Sequence, residues 1–386
     1  MRAPVRSLAR FTMVAAAVLL VLSFFLHRSQ SADHIQGNPL VVNTGAGTKP
    51  PSTPRLGDHL PVLPTTNLNV GVLMELCGHG KIPVTEDHAT SAEKQAELSV
   101  TAAYKRWVND LLNSDNLQAR VAGLILGRND SLTEGESLDM GWRGNIVQLA
   151  AGSTDPVIYG TGVEICSSAY RADPASGCEQ LTAEKWARLA PDNAVPWLIM
   201  AVNAHAAHND AAEAMAYQRA ANATLYQRYD SAISLAAIGL QATADPVERL
   251  FDNTTLFGTL NSALGMPPLV GISKYCVGSS SSVVKAQCAA IAEILVGDGA
   301  DLITLAVGTK IGDAVGWPRD RIAALKSEKE SLQRTVTQTG TPSGSCERLE
   351  QTNSAFEERA RRGEVASLRL RMRHATKQAH GNGASL

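Results

Sequence analysis

The sequence predicts an all-α fold, and three observations support this prediction. Apolar residues recur at the spacing of a helix, as in Val100, Tyr104, Trp107, Val108 and Leu111. The Asp-Pro pairs at 155–156 and 245–246 are typical helix starts, because a proline at the first helical position sacrifices no hydrogen bond. No alternation of apolar and polar residues is longer than a few positions, so we expect no extensive β-sheet.

The first element is an uncharged apolar run at residues 11–26, with Arg2, Arg6 and Arg10 before it and His27 and Arg28 directly after it. As a helix it would measure roughly 24 Å, against about 30 Å for the hydrocarbon core of a bilayer. It is therefore long for the apolar part of a cleavable signal and short for a spanning helix.

The residues around this run favour an uncleaved signal anchor. Arg10 and Arg28 can extend towards the lipid head groups and lengthen the span, and a basic pair after the run is not typical of a cleavage region. A signal cleaved after Ser31 or Ala32 remains the alternative. The arginine excess before the run keeps the N-terminus cytoplasmic. We expect a single-pass inner-membrane protein with its bulk in the periplasm or, after cleavage, a secreted or soluble periplasmic protein.

Composition divides the chain into four parts. Residues 1–28 contain the signal anchor or signal peptide. Residues 29–69 carry six prolines and no sustained apolar period, so we expect a disordered tether. Residues 70–375 are the helical domain, with possible sub-units 70–245 and 246–375, and residues 376–386 are a flexible tail.

All six cysteines lie beyond the apolar run, as expected for disulfides in an oxidising compartment. Cys166 and Cys178, and likewise Cys276 and Cys288, are 12 positions apart with turn-forming residues between them. We interpret each pair as a clip between consecutive helices. Cys77 and Cys346 are then left to pair by elimination. No C-x2-C or C-x4-C spacing occurs, so no structural zinc site is predicted.

The segment from Leu189 to Trp197 (Leu-Ala-Pro-Asp-Asn-Ala-Val-Pro-Trp) resembles the junction between tetratricopeptide repeats. Small and aromatic residues follow at nearly matching positions, namely Ala201, Ala214, Tyr217 and Ala221. The resemblance covers residues 186–221 and does not recur at 34-residue intervals. It implies stacked antiparallel helical hairpins, an α-solenoid arrangement that leaves a concave surface for partners. A last helix is predicted from Cys346 towards Ala375.

Charge gives information about partners. Four of the 35 Lys and Arg residues lie in the first 28 positions, which leaves 31 against 37 acidic residues in the exported part. This balance disfavours nucleic acid as a partner. One local excess occurs between Arg359 and Lys377, where seven cations accompany the single acid Glu364. It is either the solvated face of a helix or a contact for anionic lipid or cell-wall polymer.

No motif predicts a catalytic, cofactor or metal site. The chain has no G-x-S-x-G, H-E-x-x-H or G-x-x-x-x-G-K-[ST] sequence. Weaker candidates are Glu164, an acid among apolar neighbours, the histidines at 205 and 208 on one helix face, and the loop residues at 77–80 and 86–88. Glycosylation sequences begin at Asn129, Asn222 and Asn253 and matter only in a eukaryote.

These observations predict a membrane-anchored scaffold that binds protein partners in the cell envelope. Its candidate partner-contact residues are the aromatic side chains Trp142, Trp186, Trp197 and Tyr217, although core packing is the commoner role of a tryptophan. The alternative is an envelope hydrolase that acts on cell-wall polymer or peptide, for which Glu164 is the candidate acid.

Overall fold

The computed structural model describes residues 73–77, 80–83, 91–128, 141–167, 177–264, 269–339 and 345–382. The predicted apolar run and tether, residues 1–69, lie outside these ranges. Within them the predicted all-α class is confirmed, apart from a short two-stranded sheet made of β1 (Leu73–Leu76) and β2 (Gly80–Pro83). None of the described helices combines the length and the apolar character that a bilayer span requires.

The described residues form fifteen α-helices. The first eight are α1 (Ser91–Leu112), α2 (Leu117–Gly127), α3 (Gly141–Ala151), α4 (Pro156–Ser167), α5 (Ala183–Leu189), α6 (Ala194–Ala206), α7 (Asp210–Ala221) and α8 (Asp230–Ile238). The remaining seven are α9 (Pro246–Ala263), α10 (Leu269–Gly278), α11 (Ser282–Leu295), α12 (Leu302–Ala314), α13 (Arg319–Thr339), α14 (Cys346–Arg362) and α15 (Glu364–Asn382).

Local chemistry explains where helices begin. The predicted start at Pro246 is confirmed, because the carboxylate of Asp245 accepts hydrogen bonds from the amides of Val247 at 2.7 Å and Glu248 at 3.3 Å. Asp155 binds the amide of Val157 at 2.8 Å in the same way at the start of α4. These carboxylates satisfy backbone donors that have no partner within the helix.

Neighbouring helices pack as hairpins, most extensively α6 with α7 and α11 with α12. Contacts between distant helices add to these, since α8 packs against α2 and α14, and α9 packs against the same two helices. The described residues of Glu75–Lys81 and Ala92–Leu386 accordingly belong to one compact unit. The sequence stretches 70–245 and 246–375 therefore do not separate at position 245.

The main core is built from apolar faces of α1 to α12. Its largest fully buried side chains include Trp186, Tyr159, Tyr217, Leu111 and Leu198. The stripe that predicted α1 is buried along its length. A smaller second core under α13 and α15 contains Val296, Ala300, Leu305, Leu332, Val365 and Leu368.

Three disulfides pair all six cysteines, as predicted. Cys166–Cys178 joins the end of α4 to a short 3-10 turn, and Cys276–Cys288 joins α10 to α11. Cys77–Cys346 connects the residue after β1 to the first residue of α14, across 269 positions of sequence.

The C-terminal region differs from the prediction of one helix from Cys346 towards Ala375. Gly363 has a φ of 86°, a left-handed conformation that suits glycine and ends α14. The chain turns there and α15 packs back on α14 and α13. α15 continues to Asn382, well into the stretch 376–386 for which the sequence predicted a flexible tail.

Candidate functional site

The most unusual charged group of the core is Glu164, on α4. Its side chain is buried, and Arg228 Nε donates a hydrogen bond to Glu164 Oε1 at 3.0 Å. Arg228 lies in the connection between α7 and α8. Burial raises the pKa of Glu164, and the Arg228 guanidinium opposes this rise without cancelling it. Burial also disfavours the charge of Arg228, but the carboxylates of Glu164 and Asp230 outweigh it and raise the pKa of Arg228.

Tyr226, in the same connection as Arg228, and Asp301, at the start of α12, complete this centre. Tyr226 is buried and interacts electrostatically with Asp301, Arg228 and Glu164. Burial raises the pKa of its phenol, and the charge of Asp301 adds to the rise. Asp301 caps α12 by accepting a hydrogen bond from the Thr304 amide at 2.6 Å. The centre therefore connects α4, the α7–α8 connection and α12 within the core.

A buried asparagine fixes the loop that carries Arg228. Asn193 Nδ2 donates to the carbonyl of Gln227 at 2.8 Å, and Asn193 Oδ1 accepts from the amides of Gln227 and Val195, each at 3.1 Å. Asn193, in the segment that resembles a tetratricopeptide junction, therefore caps α6 and also holds the α7–α8 connection in place.

A second buried carboxyl centre lies on α9. Ser99 Oγ donates to Glu248 Oε1 at 2.8 Å, and Thr243 Oγ1 donates to Glu248 Oε2 at 2.5 Å. Asp252 lies one turn further along the helix, and its Oδ1 has no hydrogen-bond partner among the described residues. Burial, assisted by the charge of Glu248, raises the pKa of Asp252 to about 7. Because of this raised pKa, Asp252 is mostly protonated below neutral pH.

Contacts between α9 and α14 surround this second centre. They run in the same order along both helices: Arg249 pairs with Glu350, Asn253 Nδ2 donates to Asn353 Oδ1 at 3.2 Å, and Phe257 stacks on Phe356. This order shows that the two helices are parallel.

The four aromatic partner-contact candidates divide into two groups. Trp186 and Tyr217 are fully buried in the core, so they are corrected to packing residues. Trp142 is half-buried, with the guanidiniums of Arg128 and Arg143 at 5.3 and 5.2 Å from its ring centre. Trp197 is also half-buried and donates from Nε1 to the Pro191 carbonyl at 3.3 Å. These two retain partly accessible rings.

The candidate histidines lie at the exposed turn between α6 and α7. His205 Nδ1 is 3.1 Å from Glu213 Oε2, and His208 adopts a left-handed φ of 54°. The described ranges contain no group of three His, Cys, Asp or Glu that would hold a metal ion.

Most arginines of the basic stretch Arg359–Lys377 contact groups of the protein itself. Arginines at 359, 361, 362 and 369 form ion pairs with Glu364, Glu357, Glu358 and with Glu328 and Asp298. Arg371 donates to the Ala355 carbonyl at 2.8 Å, and burial and the nearby Arg359 lower its pKa. These contacts place five of the seven cations against groups of the protein itself.

The remaining sequence candidates have simple positions. Cys77 is in a disulfide, and His79, residues 86–88 and Asn129 lie outside the described residues. Asn222 is exposed at the end of α7. Asn253 is buried and hydrogen-bonded to Asn353, so it is inaccessible for glycosylation in the folded protein.

Sequence reasoning missed Arg228 and Asp252. Arg228 lies in a loop, 64 positions from Glu164, and no local pattern links the two. Asp252 carries a usable signal, because it falls on the same helical stripe as Leu256, Leu260 and Ala263, which are buried. An acid on an apolar stripe indicates a buried carboxyl group.

Comparison with known proteins gives no match: no family model, curated protein or solved structure resembles this chain at a significant level.

Proposed function

We propose that the chain is an exported, membrane-tethered helical module that binds protein partners in the cell envelope. The observation that carries this proposal is the pairing of all six cysteines in three disulfides. Stable structural disulfides are common in extracytoplasmic proteins and rare in the reducing cytosol. They agree with the export topology expected from the apolar run at residues 11–26 and with the proline-rich tether that follows it.

The chemistry of the buried acids favours binding over catalysis. Glu164 is paired with Arg228, and both oxygens of Glu248 accept hydrogen bonds from hydroxyl groups. A catalytic acid must reach its substrate, whereas Glu164 and Asp252 are almost fully enclosed by other helices. These groups hold helices together in the proposed module.

The α6–α7 hairpin supports a repeat-like architecture. It coincides with the tetratricopeptide-like sequence, begins at the Asn193 cap and is the most extensively packed helix pair of the described residues. In the proposed arrangement, further hairpins such as α11–α12 stack on it, because α11 packs against α7. Stacked hairpins of this kind present several helix faces to a partner.

Exposed apolar side chains on α7 and α10 are the proposed partner contacts. Val270 and Val277 lie on one face of α10, seven positions apart, and Met215 is exposed on α7. The two helices meet where Tyr217 and Tyr275 stack, with ring centres 3.9 Å apart. Exposed apolar residues on adjoining elements are typical of protein-binding surfaces.

The proposal is tested by crosslinking the full-length protein in its native cells and identifying captured species by mass spectrometry. We expect a protein partner at a constant ratio and at least tenfold less capture by the V270E/V277E variant. The matched control is L98E, because Leu98 is as exposed as Val270 but lies on α1. Capture of only lipid or glycan, or equal loss in both variants, would overturn the proposal.

A further inference from the structure

The three disulfides differ in accessibility. Cys276 and Cys288 are both buried in the main core, and Cys166 is buried beside the half-buried Cys178. In the third pair Cys77 is buried, whereas Cys346 is exposed at the start of α14. Access of an attacking thiol to one of the two sulfur atoms is one of the factors that set the rate of disulfide exchange. Cys77–Cys346 is thus the disulfide with an exposed cysteine, Cys166–Cys178 is intermediate, and Cys276–Cys288 is enclosed in the core.

The accessible disulfide also differs in what it holds. Cys166–Cys178 and Cys276–Cys288 each span 12 positions and join consecutive elements. Cys77–Cys346 spans 269 positions and is, apart from the chain itself, the covalent link between the β1–β2 turn and the C-terminal helices.

The packing of α14 does not depend on this link. Leu349 is buried, Asn353 donates to the Pro246 carbonyl at 2.9 Å, and Phe356 stacks on Phe257 with ring centres 5.2 Å apart. These contacts hold α14 on α8 and α9 from its first turn onwards. Opening the disulfide would free the Cys77 end without removing any of them.

We propose that Cys346 is a site of thiol–disulfide exchange, where a dithiol reductant opens Cys77–Cys346 and releases the β1–β2 strands while the helical unit stays folded. Reduction would remove the covalent link between Cys77 and α14 other than the chain itself.

The exchange proceeds in two steps. A thiolate of the dithiol attacks Cys346 Sγ, a mixed disulfide forms, and Cys77 leaves as a thiolate that takes up a proton. The second thiolate of the reductant then attacks its own sulfur in the mixed disulfide, which releases Cys346 as a thiolate that is also protonated. Two electrons pass from the dithiol to the Cys77–Cys346 pair, and the reductant leaves as its cyclic disulfide.

The test is a timed reduction of the full-length protein with dithiothreitol, followed by alkylation and mass mapping of the modified cysteines. We expect Cys77 and Cys346 to be labelled at least tenfold faster than Cys276 and Cys288, with the far-ultraviolet circular dichroism unchanged. Earlier or simultaneous opening of another disulfide, or helix loss that accompanies labelling at 346, would overturn the proposal.

Variants test the release of the strands. In C77S/C346S we expect amide hydrogen exchange in β1 to rise at least tenfold, with exchange in α6 and α12 unchanged. The matched control C166S/C178S should leave exchange in β1 unchanged, and protected β1 amides in C77S/C346S would contradict the inference. These measurements need no partner and no membrane, so selective reduction without partner capture would refute the proposed function alone.

Discussion

Arg228 Nε donates a hydrogen bond to Glu164 Oε1 at 3.0 Å, and both side chains are withdrawn from solvent although the residues are 64 positions apart. A buried ion pair contributes little net stability, since desolvation offsets the attraction. Removal of one partner is costly, however, because the other charge remains enclosed. The pair therefore fixes the α7–α8 connection against α4 more than it stabilises the fold.

This pair gives the first prediction. We expect R228M to lower the free energy of unfolding by about 3–5 kcal/mol at pH 7, because Glu164 loses its counter-charge. The raised pKa of Glu164 lets the lone acid protonate as the pH falls, so the loss should shrink towards pH 4. Urea unfolding at both pH values measures this.

The double variant E164M/R228M should lose less stability than R228M. The control R106M, at an exposed arginine of α1, should change stability by less than about 0.5 kcal/mol.

Asp252 gives a second prediction, on pH dependence. Its pKa is about 7 in the folded protein, against an ordinary value of 3.8. Because the folded-state pKa is raised, the carboxyl group does not reduce the free energy of unfolding below about pH 4. It reduces that free energy increasingly as the pH rises to 7. At one pH unit per about 1.4 kcal/mol, the cost at pH 8 is at most about 4 kcal/mol.

We therefore expect D252N to unfold at a higher denaturant concentration than the natural protein at pH 8. Its free energy of unfolding should be higher by roughly 2 kcal/mol, because the substitution removes the cost of ionising the buried carboxyl group but buries an amide in its place. At pH 4 the two proteins should be equally stable within about 1 kcal/mol. D110N, at an exposed aspartate of α1, should show no such difference between the two pH values. A constant effect of D252N across this range would contradict the prediction.

A third prediction contrasts two helical glycines. A Cβ on Gly160 would lie 2.5 Å from Trp186 Cε2 and 2.7 Å from Tyr229 Cε2, whereas one on Gly258 would meet nothing within 4 Å. We expect G160A to lose about 2 kcal/mol or more through overpacking. G258A should gain about 0.5–1 kcal/mol, because alanine loses less backbone entropy in a helix. Thermal unfolding of both variants measures the contrast, and a gain in G160A would show that α4 packs more loosely.

A fourth prediction concerns the turn between α6 and α7. His208 has a φ of 54°, which costs a non-glycine residue roughly 1 kcal/mol. We expect H208G to raise the free energy of unfolding by about 0.5–1 kcal/mol, with partner capture retained. A207G is the control, since Ala207 has a φ of −88° and gains nothing from glycine. Equal effects at both positions would show that the strain at 208 is absent.

Local sequence signals predicted much of the fold. Helix starts at Pro156 and Pro246 follow from the chemistry of the two residues at each cap, and the apolar stripe of α1 follows from a period of 3.6. The two 12-position disulfides follow from short loops, because few alternative partners lie so close in sequence. In each case the information that decides the structure lies within about a dozen residues.

Other features depended on contacts that no local pattern encodes. The apolar stripe of α14 shows that it must be covered, but not that α8 and α9 cover it. The aromatic residues at 186 and 217 have the same character whether they lie in a core or on a binding surface, and only packing assigns them to the core.

By itself, then, the sequence determined the helical class, the helix starts at Pro156 and Pro246 and the two 12-position cysteine pairs, because short-range geometry and backbone hydrogen bonding decide them. The Cys77–Cys346 pair, across 269 positions, followed only by elimination. Only the tertiary structure decided that Arg228 neutralises Glu164, that Asp252 is buried and that Cys346 is exposed. These facts depend on which helix faces meet, and that choice minimises exposed apolar surface over the whole compact unit rather than within any segment.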